Sequence, residues 1–223
     1  MSTTPDHGPD DRRVDWDERY SVTEQVWSGR PNGALVAEVA GMPAGTVLDV
    51  GCGEGADAVW LADHGWQVSA LDVSGVALAR AAEHADARGA QIAWLHTGLL
   101  EATLPSDGFD LVSAHYPALP STPGADGERA LLAAVAPGGT LLVVHHADVD
   151  GELAKAHGVD PADYVGHEDV AALLDDGWDV EVDERRARDV VTGAGAHHTH
   201  DLVLRARRLL EPPALSSGRS AAG

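Results

Sequence analysis

Val47-Leu48-Asp49-Val50-Gly51-Cys52-Gly53-Glu54-Gly55 decides the fold. An apolar strand carrying one acidic residue runs into glycines at every second position. A helical pattern follows from Ala56 to His64, and a second strand, Gln67 to Leu71, ends at Asp72. That order is the first βαβ unit of a doubly wound α/β domain, with a turn built for contact between backbone and ligand. Glycines without a Cβ let such a turn take positive φ and lie flat against a bound group. The free N–H groups of the following helix start face the same place.

The glycines alone do not choose the ligand, because Gly51, Gly53 and Ala56 also satisfy a looser dinucleotide fingerprint. Asp49 does. A carboxylate two residues before the first glycine would repel a pyrophosphate and suits a ligand with a positive ammonium. Residues 47–55 resemble the first motif of the class I S-adenosylmethionine-dependent methyltransferases, apolar-Leu-Asp-apolar-Gly-Cys-Gly-x-Gly. The family's second acidic position, which holds both ribose hydroxyls, matches Asp72. The resemblance implies S-adenosyl-L-methionine as cofactor. Asp49 and Gly51, Cys52, Gly53 and Gly55 would surround its amino-acid part, Asp72 its ribose, and Val73 its adenine.

The chain of 223 residues is long enough for one full core, and 44% hydrophobic residues are ordinary for a soluble globule. No apolar run reaches the roughly 20 residues of a membrane helix, and no signal-like apolar stretch opens the chain, so a cytoplasmic enzyme is expected. A single cysteine, Cys52, excludes an internal disulfide framework; inside a glycine turn it reads as a packing residue. A formal net charge of −21 disfavours nucleic acid or an anionic membrane as partner. Residues 1–13 and 212–223 are rich in small, polar and proline residues and are expected to lack order, leaving one domain over 14–211 with a helical lid at about 14–40.

Within that domain further strands are expected at Ile92–His96, Phe109–Ala114 and Thr140–His145, and helices at Gly75–Arg88, Glu128–Val135 and Glu168–Leu174. Ser74 is placed to cap the helix from Gly75. Pro137-Gly138-Gly139 reads as a turn before a continuously apolar central strand. Trp178–Arg188 and His200–Arg208 alternate apolar and polar residues as an antiparallel hairpin. The expected fold is a Rossmann-like seven-stranded sheet, mostly parallel, closing in that hairpin. The same order characterises the family, so the resemblance spans roughly residues 15–210.

Two stretches refine the resemblance. Relatives carry an acidic residue after the third strand to accept the adenine amino group; here Gly98 stands at that place, in His96-Thr97-Gly98-Leu99-Leu100. Thr97, Glu101 or backbone carbonyls can substitute, or Leu99, Leu100 and Val73 hold adenine by packing. The N-terminal pair Asp15-Trp16-Asp17-Glu18-Arg19-Tyr20 and Val26-Trp27-Ser28-Gly29-Arg30-Pro31-Asn32 resembles the small-molecule branch that includes tellurite-resistance and thiopurine-type enzymes. There the leading segment folds over the cofactor. Trp16, Tyr20 and Trp27 offer aromatic surface to a sulfonium, and Arg30 offers a partner for a carboxylate.

Methyl transfer is in-line displacement at carbon, governed mainly by positioning, and needs a base only when the acceptor must lose a proton. His115, ending the fourth strand, faces the transferred methyl, and either His115 or His145 can be that base. Tyr116, before Pro117, is expected to be extended and to line the acceptor side with His146. Alternation points His145 and His146 to opposite faces. His197-His198-Thr199-His200 lacks metal-ligand spacing and reads as an exposed loop. The arginines of the hairpin read as partners in internal ion pairs on a solvated face. The expected reaction is methyl transfer to a small-molecule nucleophile bearing oxygen, nitrogen, sulfur or a metalloid. An NAD(P)-dependent oxidoreductase is disfavoured by Asp49 and by the lack of a Tyr-x-x-x-Lys pair near the fifth strand. A non-catalytic cofactor-binding scaffold is the remaining alternative, and Gly98 is the feature that favours it.

Overall fold

A computed structural model of the chain describes residues 9–156, 160–189, 192–193 and 195–210. Seven strands form one sheet: β1 (Thr46–Val50), β2 (Gln67–Asp72), β3 (Ile92–His96), β4 (Phe109–His115), β5 (Val135–His146), β6 (Trp178–Ala187) and β7 (His200–Arg208). Their order is β3-β2-β1-β4-β5-β7-β6. The first five run parallel, and β7 enters antiparallel between β5 and β6. Strand order reverses between β1 and β4, so a crevice opens beyond their carboxyl ends.

Two apolar layers sandwich the sheet. On one face Val47, Leu111, Leu142, Val144 and Val203 meet α2 (Gly33–Val39) and α3 (Ala56–Asp63). α4 (Gly75–Arg88) lies beside α3. On the other face Leu48, Val50, Val112, Leu141 and Val143 meet α5 (Asp126–Ala134) and α7 (His167–Ala171). β1, β4 and β5 are apolar on both sides because both faces are covered. The two faces define where each later side chain points. Asp49, Ser113, His115 and His146 share the parity of Val47, Leu111 and Val144 and so face the α3 layer, whereas His145 faces the α7 layer.

α4 is bounded as the sequence requires. Ser74 Oγ accepts the Ala77 N–H at 3.1 Å, and Gly89, at φ 68°, closes the helix in the left-handed region. Other boundaries differ from the expectation. α1 (Pro9–Ser21) begins inside the stretch expected to lack order, since proline suits a first helical turn; residues 1–8 and 211–223 lie outside the described residues. The turn Pro137-Gly138-Gly139 does not precede β5 but sits within it. Phe109 pairs with Val135 and Leu111 with Thr140, so the extra residues are extruded as a bulge, with Gly138 at φ 81°. α6 (Gly151–Ala156) and a short 3-10 turn at Pro161–Asp163 follow β5 and have no apolar period that would signal them.

Candidate functional site

The glycine turn after β1 lies against β2 through Gly51 N–H and Cys52 N–H, which both donate to the Leu71 carbonyl. Gly53 and Gly55 stand at φ 53° and 79°. A Cβ on Gly53 would come within 2.9 Å of Tyr20 Oη, and one on Gly55 within 2.7 Å of Ala81 Cβ, so both positions demand glycine for conformation and for space. Asp72 Oδ2 accepts the Gly53 N–H and Oδ1 accepts the Ser74 N–H, both at 2.8 Å. Each oxygen retains a lone pair, which is what a ribose diol would use. Asp49 is 2% exposed, and its Oδ2 has no hydrogen-bond partner. Burial, then the carboxylates of Asp57 and Asp72, hold its carboxyl well above the usual range. An orphaned buried acid beside two others fits a cationic ammonium, and a phosphate does not fit there. The chemistry of the donor set thus agrees with the amino-acid end of S-adenosylmethionine.

Gly98 abuts a carboxylate after all. The space a Cβ would occupy is filled by Glu101 Oε2, with Val73 Cγ1 at 3.4 Å. Leu100 is exposed beside it. Leu99 is buried, its side chain in the core with Leu71 and Leu119.

The N-terminal segment docks on the glycine turn. Tyr20 is 3% exposed, and its hydroxyl accepts the Trp27 indole N–H at 2.8 Å. Arg19 lies over the Trp16 ring at 5.0 Å and near that of Trp27 at 5.9 Å. The anchors are charged residues that periodicity does not single out. Glu54, inside the glycine turn, accepts the Val26 N–H at 3.1 Å and the Trp27 N–H at 2.9 Å. Arg80 of α4 donates to Glu54 Oε1 at 2.8 Å and to the carbonyls of Tyr20 and Thr23. Asp17 accepts from Ser74 Oγ at 2.6 Å and from Val76 N–H at the start of α4. Arg30 is exposed, and its backbone N–H bonds Ser28 Oγ.

Beyond β4 and β5 lies a second cluster. His115 is buried; its Nδ1 is 3.1 Å from Ser113 Oγ and 3.6 Å from Asp57 Oδ2, and its Nε2 has no partner. Burial lowers its pKa, against the opposing pull of Asp57 and Asp201. Tyr116 is not extended, as its place before Pro117 suggests, but sits at φ 50°. Its N–H bonds the Val144 carbonyl, its hydroxyl donates to Asp201 Oδ2 at 2.9 Å, and its ring stacks on His146 at 4.0 Å. These contacts hold the strained backbone, a condition found mostly at working sites. His198 stacks on the other side of His146 at 4.0 Å, so the histidine tract is partly folded in, not a free loop. Arg188 lies 3.1 Å from Asp201 Oδ1, over the Tyr116 ring, and donates to the Gly195 carbonyl. The hairpin turn also presses on the lid, since a Cβ on Gly193 would fall 2.8 Å from Ser28 N.

His145 does not join this cluster. It faces the opposite layer, its Nε2 3.0 Å from the Val165 carbonyl and its ring against His167. Burial pulls its pKa down to about 4. Its hydrogen bond secures the segment after the 3-10 turn, and the separation from His115 follows from strand parity. Among the described residues no group of three or more His, Cys, Asp or Glu can hold a metal ion, and no helix is long and apolar enough to cross a membrane.

Comparison with known proteins agrees with this geometry. A family model described as a methyltransferase domain matches residues 47–139. An uncharacterised methyltransferase of Mycobacterium bovis is 39% identical over 105 residues, 46% of this chain and 52% of the relative. The chain thus spans about half the length of that curated relative. Over the full fold, a protein solved in work on the conversion of a disulfide bond into a thioacetal group during echinomycin biosynthesis is 26% identical, with TM-score 0.72, covering 91% of this chain and 94% of that one. The N-methyltransferase NodS from Bradyrhizobium japonicum, in complex with S-adenosyl-L-homocysteine, shares the fold at 23% identity and TM-score 0.59, covering 91% of this chain and 89% of that one.

Proposed function

We propose that this chain, whose residues 47–139 match a methyltransferase domain, is a class I S-adenosylmethionine-dependent enzyme that transfers a methyl group from S-adenosylmethionine to a small-molecule nucleophile. The observation that carries the reading is the buried, unpartnered Asp49 carboxylate beneath a glycine turn whose next strand ends in Asp72. S-adenosylmethionine, when bound, supplies a methyl group already activated on a sulfonium. Asp49 neutralises the ammonium, Gly51 keeps the space beside the turn open, and Gly53 and Gly55 let the lid and α4 pack against it. Asp72 accepts from the ribose hydroxyls, and Val73, Leu100 and Glu101 border the adenine. Trp16, Tyr20 and Trp27 exclude water from above. His115 offers Nε2 to the acceptor side, and Tyr116 and His146 form a wall there. The Tyr116 hydroxyl donates to Asp201, and burial and that carboxylate raise its pKa, which favours the neutral phenol there.

A small acceptor is favoured by the packing of the hairpin turn on the lid, where a Cβ on Gly193 would fall 2.8 Å from Ser28 N. The net charge of −21 favours neutral or cationic acceptors over anions such as metalloid oxyanions, and disfavours nucleic acid. Calorimetric titration with S-adenosylmethionine and S-adenosylhomocysteine tests the cofactor. Micromolar binding to the wild-type protein is expected. Asp72→Ala should weaken it by about 2 kcal/mol, roughly thirtyfold, through two lost charge-assisted hydrogen bonds. Unchanged affinity in a folded Asp72→Ala protein would remove the ribose role, and a folded wild-type protein that binds neither compound would remove the function.

A further inference from the structure

His115 is flanked from three elements. Asp57 approaches Nδ1 from α3, Ser113 from its own strand, and Asp201 raises the local negative potential from β7. Tyr116 is its edge-on neighbour at 6.3 Å. The Ser113 hydroxyl can donate or accept, so it does not choose which ring nitrogen carries the proton. Asp57 accepts only. A carboxylate oxygen 3.6 Å from Nδ1, in a buried setting, favours a proton on that nitrogen. Nε2 is then left as a lone pair, buried and without a partner in the protein. Asp57 is itself held in place: its two oxygens accept from the backbone N–H and the Nδ2 of Asn32, each at 2.7 Å. Asn32 ends the lid segment, and its side chain does not cap its own helix α2.

We propose that Asp57 is a positioning residue that fixes His115 as the Nδ1–H tautomer, turns Nε2 into the proton acceptor of the reaction, and links that state to the docked lid through Asn32. The consequence for the substrate rests on the methyl-transfer reading: the acceptor is protic, a hydroxyl, a thiol or an N–H group. As its heteroatom bonds the methyl carbon, the carbon–sulfur electrons stay on sulfur and the acceptor's proton moves to Nε2. A tertiary amine has no proton to give and would not use His115.

Long-range proton–nitrogen correlation NMR on ¹⁵N-histidine-labelled protein without cofactor tests the assignment, with His115→Gln identifying the signals. At neutral pH, wild-type His115 is expected as the neutral Nδ1–H tautomer, Asp57→Asn should convert most of it to Nε2–H, and Ser113→Ala should leave it Nδ1–H. An Nε2–H wild type, an unchanged Asp57→Asn spectrum, or conversion by Ser113→Ala alone would overturn the proposal; if Asp57→Asn does not fold, the wild-type and Ser113→Ala spectra decide. The NMR readout is independent of cofactor binding, so failure of the methyl-transfer reading in calorimetry is seen separately.

Discussion

Asp49 is a buried acid whose charge is disfavoured by its own surroundings. A carboxyl held above its unfolded value stabilises the fold while protonated, and that contribution fades as pH rises through the folded-state value. Above that window the free protein keeps an uncompensated buried charge beside Asp57 and Asp72. Asp49→Asn is therefore expected to raise the melting temperature of the cofactor-free protein at neutral pH, by about 2–4 °C per kcal/mol of relieved repulsion. Calorimetry on the same variant should show cofactor affinity lost. A lower melting temperature would mean that Asp49 has a partner when the cofactor is absent. Gly98 gives a second expectation at this scale. Glu101 already fills the space beside it, so Gly98→Asp sets two carboxylates against each other and should not tighten S-adenosylhomocysteine binding, whereas Glu101→Ala should weaken it.

At the scale of elements, one carboxylate in the glycine turn gathers the middle of the lid. Glu54 is 4% exposed and gathers the Val26 and Trp27 amides together with Arg80. Charge-assisted bonds of this kind contribute about 1.5–3 kcal/mol each when buried. Glu54→Ala should free the segment without unfolding the sheet. Amide exchange at Val26 and Trp27 should quicken more than tenfold while that of β1 and β4 amides stays slow. Uniform quickening would mean that the lid and the sheet form one cooperative unit.

For the whole molecule, the hairpin β6–β7 is fastened to the first layer by Glu38. Its side chain, 6% exposed on α2, pairs with both Arg186 and Arg205. Both arginines are partly exposed, which limits each pair, but removing the shared acid leaves two cations without their buried partner. Glu38→Ala should cost about 1–2 kcal/mol in urea unfolding, with an unchanged slope if the transition remains two-state. No loss of stability would show that the antiparallel ladder and Val203 and Leu204 hold the hairpin alone.

The sequence by itself determined the glycine turn, the succession of strands and helices and the Ser74 cap, because these depend on residues near one another along the chain. Gly51 to Gly55, Ser74 and the alternation of β7 each carry a local rule that needs no partner. Parity along β5 was equally legible, and His145 and His146 do part to opposite faces. Tertiary structure decided what lies between elements distant in sequence. Glu54 reads as a surface acid until Val26 and Trp27 arrive, and Asp201 as one polar residue of a strand until Tyr116 meets it. The extended backbone expected before Pro117 gave way to positive φ at Tyr116, because the bonds to Val144 and Asp201 and the stack on His146 outweigh a local backbone cost. Local chemistry sets which segments form. The partners of a buried charge are set only by which segments the fold brings within reach.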